Sequence, residues 1–155
     1  MMKNNKKIYF FIAVLTLLSL VFSIVILIQK TSYNPVINNI CSALNSESQC
    51  ESVQKSRYSK TFGIDNPWYG IIGFSAILIF AILNFLKEKK ILKKLIIAGG
   101  IISGSMAIYF LYIQSFILKQ YCIFCVIVDI LSIVLLCISL YITYIECKIE
   151  CKKKI

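Results

Sequence analysis

Seven cysteines and no histidine define the chemistry open to this 155-residue chain. Without an imidazole there is no His-based acid–base catalysis, no triad that uses His, and no His-ligated metal or haem. Thiol chemistry is the leading candidate. Cys122 and Cys125 form a Cys-Ile-Phe-Cys motif, and Cys41 and Cys50 are separated by eight residues in a polar stretch. Cysteines three apart at a helix start share one face, where the first-turn N–H groups and the positive end of the dipole favour a thiolate. A disulfide across so small a ring is easily made and broken, which suits electron exchange. Exchange between two pairs needs a thiolate in line with the attacked disulfide. A dithiol on a long loop can present itself to a partner and also swing back toward the motif.

The elements that carry these thiols are set by hydropathy. Hydrophobic types make up 59% of the chain and charged types 15%, and mean hydropathy is +0.81. Both compositions depart from those of a soluble domain in the same direction. Four apolar stretches stand out: Ile8–Ile28, Trp68–Leu86, Leu95–Leu118 and Cys122–Ile145. Each matches the roughly 20 residues a helix needs to cross a hydrocarbon core about 30 Å thick. None alternates as a membrane-barrel strand would, and lipid requires backbone groups to be satisfied within the segment. The expected fold is an all-α membrane protein, a four-transmembrane-helix bundle forming one domain over 1–155. Lys3, Lys6 and Lys7 precede the first stretch, but it is too long for a signal-peptide core and lacks a small-x-small cleavage site, so it reads as a retained span.

Basic residues orient the bundle. The N-terminal tail holds three, the second loop five (Lys87, Lys89, Lys90, Lys93, Lys94) and the C-terminal tail four, twelve in all on one side. The first loop holds Lys30, Lys55, Arg57 and Lys60 and the turn before span four Lys119, five on the other side. The positive-inside rule therefore puts both termini in the cytoplasm. The net charge of +10 is a topology signal, and no nucleic-acid partner is expected. The long polar segment, 29–67, lies outside. Its Asn34–Pro35 turn signal is followed by Val36, Ile37, Ile40 and Leu44 at near-helical spacing, which suggests a short helix on the membrane surface. Pro67 opens span two. Gly100 and Gly104 in span three give a GxxxG step that lets a neighbouring helix approach closely.

This topology places Cys41, Cys50, Cys122 and Cys125 on the oxidising side, where disulfides persist. Competing readings are a zinc site built from the four thiolates and a purely structural Cys41–Cys50 disulfide. Redox exchange is favoured, and no metal is expected. Cys137 reads as a small core residue; Cys147 and Cys151 face the reducing side without an assigned role. Asp129 is the single charged residue within a span, four residues after Cys125 and so one turn deeper on the same face. An ionisable group in the bilayer is costly and calls for a function. It passes a proton, hydrogen-bonds a quinone oxygen, or bonds structurally to another helix. Trp68, Tyr69, Tyr109 and Tyr112 are either interfacial aromatics or walls of a flat apolar pocket.

The chain resembles prokaryotic members of the vitamin K epoxide reductase family. The likeness rests on Cys41-x8-Cys50, on Ser56-Arg57-Tyr58-Ser59-Lys60 running into Phe62-Gly63-Ile64, and on Cys122-x-x-Cys125 opening the last helix. It implies a four-helix bundle around a quinone of ubiquinone or menaquinone type. It puts Cys125 against the quinone ring, Cys122 in exchange with Cys50, and Cys41 toward an external thioredoxin-like partner. It gives Ser56 a part in loop function or catalysis and Asn66 a possible hydrogen bond to the quinone. The animal enzymes carry a tyrosine where Asp129 stands, which turns the expectation from epoxide reduction to quinone reduction. With the chain ending at Ile155, the partner is expected to be a separate protein. The implied activity is a thiol–disulfide oxidoreductase of the cytoplasmic membrane that supports disulfide formation in exported proteins. The alternatives are a quinone or quinone-epoxide reductase of the same fold and a non-enzymatic membrane subunit with a structural loop disulfide.

Overall fold

A computed structural model of the chain describes residues 3–31 and 53–153. The loop cysteines Cys41 and Cys50 and the expected surface helix near 36–44 lie outside the described residues. Four long helices dominate: α1 (Lys3–Thr31), α2 (Asn66–Leu86), α3 (Lys90–Tyr112) and α4 (Ile123–Lys153). All four are long and apolar enough to cross a membrane. α1, α3 and α4 extend past the apolar stretches into flanking lysines. Lys and Glu are good helix formers, and long cationic side chains reach the interface from a buried stem, so charge ends the hydrocarbon span without ending the helix.

The helices run alternately up and down. At one end Lys6 of α1 lies over the Phe85 ring of α2, 5.8 Å from its centroid, and Lys93 of α3 meets Glu146 of α4 at 3.6 Å. The start of the chain, the 87–89 turn and the end of α4 therefore share that end. α1 packs most extensively on α2, and α3 on α4. Glycine explains both seams. A methyl group on Gly104 would collide with the Leu136 side chain, and one on Gly100 with Ser139. The GxxxG step thus brings α3 onto α4, as its spacing predicts. Gly70 of α2 faces Ser23 of α1, where a Cβ would come within 2.7 Å of the hydroxyl.

Ile12, Leu15, Phe74, Ile77, Ala81, Ile96, Leu135 and Ile142 fill the bundle's main core. α1 also buries Thr16, Ser19 and Ser23. Each hydroxyl is satisfied by its own helix, donating to the carbonyls of Ile12, Leu15 and Ser19 respectively, so these polar groups enter an apolar core without an unpaired donor. Cys137 is exposed on the outside of α4, which corrects its expected place in the core. Lipid is as apolar as the core, so a neutral thiol is tolerated on either side of the helix.

One feature departs from an all-helical reading. Lys60–Thr61 and Ile64–Asp65 pair as a two-stranded antiparallel hairpin, β1 and β2. Its turn residues Phe62 and Gly63 both have positive φ, 52° and 81°, as a tight two-residue hairpin turn requires. α3 ends in a π-helical turn, Ile113–Leu118, closed by Lys119 in the left-handed region. Such turns are uncommon and frequent at functional sites.

Candidate functional site

Cys122 holds the position before α4. Its carbonyl accepts the Val126 N–H at 2.9 Å, so it caps the helix and Cys125 follows within the first turn. The two sulfurs are 2.8 Å apart. Cys122 is fully buried, packed with Ile26 of α1 and Phe124, and Val53 from the segment that precedes the hairpin lies against them. A helix-capping residue has its own N–H outside the helical ladder. Here that N–H donates to Oε1 of Gln114 at 3.2 Å.

Gln114 belongs to the π-helical turn and is 4% exposed. The same side chain donates from Nε2 to Oδ2 of Asp129 at 3.1 Å. Asp129, 7% exposed, thus sits one turn below Cys125 with a carboxamide partner from the neighbouring helix. The sequence carries one signal for Gln114. It is the lone carboxamide in span three, and it precedes Cys122 by eight residues.

These groups open onto a cavity of about 570 Å³ between the helices, lined by residues of all four. Cys125 and Asp129 contribute to its wall, with Gln114, Asn66 and Ser56. Cys122 stands behind Cys125, outside the lining. Toward the other end the wall becomes apolar, with Phe80, Leu95, Gly99 and Ile102 among its residues. Volume and composition suit a flat, mostly apolar molecule with a few polar atoms at one end.

The hairpin closes the polar end. Asn66 accepts the Thr61 hydroxyl on Oδ1 and donates from Nδ2 to the Tyr58 carbonyl, both at 2.7 Å. The Tyr69 hydroxyl donates to the Thr61 carbonyl at 2.9 Å. Asn66 therefore pins the hairpin, and one N–H and one lone pair of its amide remain. The Ser56 hydroxyl donates to the Val53 carbonyl at 2.7 Å. Lys30 at the end of α1 donates to Ser59 Oγ at 3.1 Å and pairs with Asp65 at 2.7 Å. That bond, followed by the charges of Lys30 and Lys60, holds the Asp65 carboxyl below the usual carboxylate range. Of the four aromatics singled out, Tyr69 lines the cavity, whereas Trp68, Tyr109 and Tyr112 are exposed on the bundle's outer surface, as interfacial aromatics are.

Comparison with curated proteins yields no match. The vitamin K epoxide reductase family matches residues 10–140, a stretch that runs from the first turns of α1 through the dithiol and Asp129 into the second half of α4. The four-helix membrane bundle with a dithiol at the head of its last helix, matched over most of its length, belongs to the vitamin K epoxide reductase family, whose members are membrane oxidoreductases.

Proposed function

We propose that the chain is a quinone-dependent thiol–disulfide oxidoreductase of the cytoplasmic membrane. It takes electrons from a reduced thioredoxin-like protein outside that membrane. They pass through Cys41 and Cys50 to Cys122 and Cys125, and the outcome is disulfide formation in exported proteins. The observation that carries this reading is the apolar cavity with Cys125 in its wall and Cys122 at 2.8 Å behind it.

The residues fit a quinone. Apolar side chains at one end of the cavity suit an isoprenoid tail, and Asp129, Gln114 and Asn66 gather polar atoms at the other. When bound, a quinone supplies a two-electron acceptor. The chain does the rest. Cys125 faces the cavity, Cys122 closes the disulfide, and Asp129 holds a proton at the cavity wall.

Delivery from the loop is supported by covalent reach. Val53 packs against the Cys122 cluster, and Cys50 precedes it by three residues. At no more than about 3.6 Å per residue, that is roughly 11 Å of chain. Ser56, which lines the cavity mouth, helps shape that segment.

The test is quinone reduction by membranes carrying the protein, driven by a reduced thioredoxin-like protein. Cys125→Ala is expected to abolish turnover. Full turnover in that variant would remove the relay.

A further inference from the structure

We propose that Gln114 is a positioning residue for quinone reduction: its carboxamide ties the backbone of the dithiol to Asp129 and sets which oxygen of that carboxyl serves the cavity. The inference rests on the function proposed above.

The argument turns on donors and acceptors. A backbone N–H can only donate, so the Cys122 N–H fixes the atom facing it as the Gln114 oxygen. The Gln114 NH₂ must then face Asp129, and it can only donate. Asp129 Oδ2 is thereby held as an acceptor, whether or not the carboxyl carries a proton. A proton on Asp129 is left to Oδ1, the oxygen not engaged by Gln114. One side chain therefore orients the carboxyl and reads the position of the Cys122 backbone at the same time. The π-helical turn makes this possible. It widens the end of α3 and carries Gln114 inward, while the left-handed Lys119 reverses the chain toward Cys122. The Gln114 carbonyl accepts the Gln120 N–H at 3.2 Å and closes the connection.

The reaction balances without another reagent. Cys122 and Cys125 together lose two electrons and two protons as the S–S bond forms, and a quinone held in the cavity would take up both, giving the quinol. Asp129 hands one proton to a quinone oxygen and is reprotonated from the thiol pair. Its titratable neighbours are Cys125 on its own helix and Cys122, which caps that helix, and Gln114 faces it from the π-helical turn.

The experiment uses the full chain in membranes, with dithiothreitol as reductant and decylubiquinone as acceptor. Wild type, Gln114→Leu, Gln114→Glu, Asp129→Asn and the Gln114→Leu/Asp129→Asn double variant are compared in turnover. In quinone-free membranes the infrared carboxyl band that Asp129→Asn removes is expected to shift in Gln114→Leu, and an unmoved band would overturn the inference. Loss of a positioned proton donor costs about 10²-fold or more, and misplacing one by an ångström costs a similar factor. Gln114→Leu is expected to lower kcat about 10²-fold with little change in quinone KM. The double variant is expected to be no slower than Asp129→Asn. Gln114→Glu keeps the acceptor for the Cys122 N–H and lacks the donor. Its turnover relative to wild type is expected to rise as pH falls, when the new carboxyl gains a proton to donate. That pH-dependent recovery distinguishes positioning from a merely structural role. Wild-type kcat in Gln114→Leu, a multiplicative double variant, or a flat pH ratio for Gln114→Glu would overturn the inference and leave the proposed function standing. A wild-type protein that reduces no quinone would overturn the function itself.

Discussion

The α3–α4 seam and the cavity wall of α2 use glycine to opposite ends. Gly100 and Gly104 face α4, and the partner helix comes so close that neither position has room for a Cβ. Gly73 of α2 lines the cavity, and a Cβ there would meet nothing within 4 Å. At the seam the missing side chain is replaced by another helix. At Gly73 it is replaced by space. Lipid gives helices no hydrophobic reason to associate, so the tight seam supplies the packing that lets the looser side stay open. A cavity in a bundle this small depends on closure elsewhere.

Breaking the closed face has the largest expected effect on folding. Gly104→Leu forces bulk against the Leu136 side chain. Overpacking of a tight site costs roughly 1–3 kcal/mol, a large share of a marginal stability. The thermal midpoint of detergent-purified protein should fall, with loss of turnover following the loss of fold. An unshifted midpoint would mean that α3 and α4 are not held by this step.

Filling the open face sharpens the contrast. A Cβ at Gly73 meets nothing within 4 Å, yet the residue lines the cavity. Gly73→Leu should therefore leave the midpoint nearly unchanged and compete with the quinone for space. A misplaced hydrophobic group in a pocket is worth about 1–3 kcal/mol, so quinone KM is expected to rise about tenfold while thiol exchange with the partner is unaffected. A normal KM would place the quinone elsewhere.

The same contrast explains what was legible in the sequence. The spans could be read because lipid leaves a helix no alternative, and the seam could be read because GxxxG has a single geometric use. Asp129 stood out as a charge where charges are costly, and the structure brings it to the same cavity wall as Cys125. Gln114 did not stand out. Its importance comes from the π-helical turn, a local widening of α3 that leaves the hydropathy of the segment untouched. The hairpin was hidden for a related reason: its strands have two residues each, too few to show a period, and only the Phe62–Gly63 turn marks it. The loop pair Cys41 and Cys50 is known from its spacing alone.

The smallest effect belongs to the hairpin that closes the polar end. Lys30 reaches from α1 to Asp65 and Ser59 and so ties the first helix to the start of the second across the cavity mouth. Because this pairing lowers the Asp65 pKa, folding or closure favours the ionised carboxyl, and the linkage has a definite sign. The contribution is complete above the ordinary carboxylate pKa of about 3.9 and is lost as pH falls through the lowered value in the closed state. Amide exchange at the hairpin should therefore be slow and pH-independent in its opening equilibrium near neutrality, and opening should become easier only in acid. Asp65→Asn should open more readily at neutral pH and lose that acid dependence. Because the pair is partly solvated, salt should weaken it as well. If the wild-type and Asp65→Asn hairpins open equally at neutral pH, the mouth is held by Asn66, Thr61 and Tyr69 alone, and the ion pair is incidental to the cavity it borders.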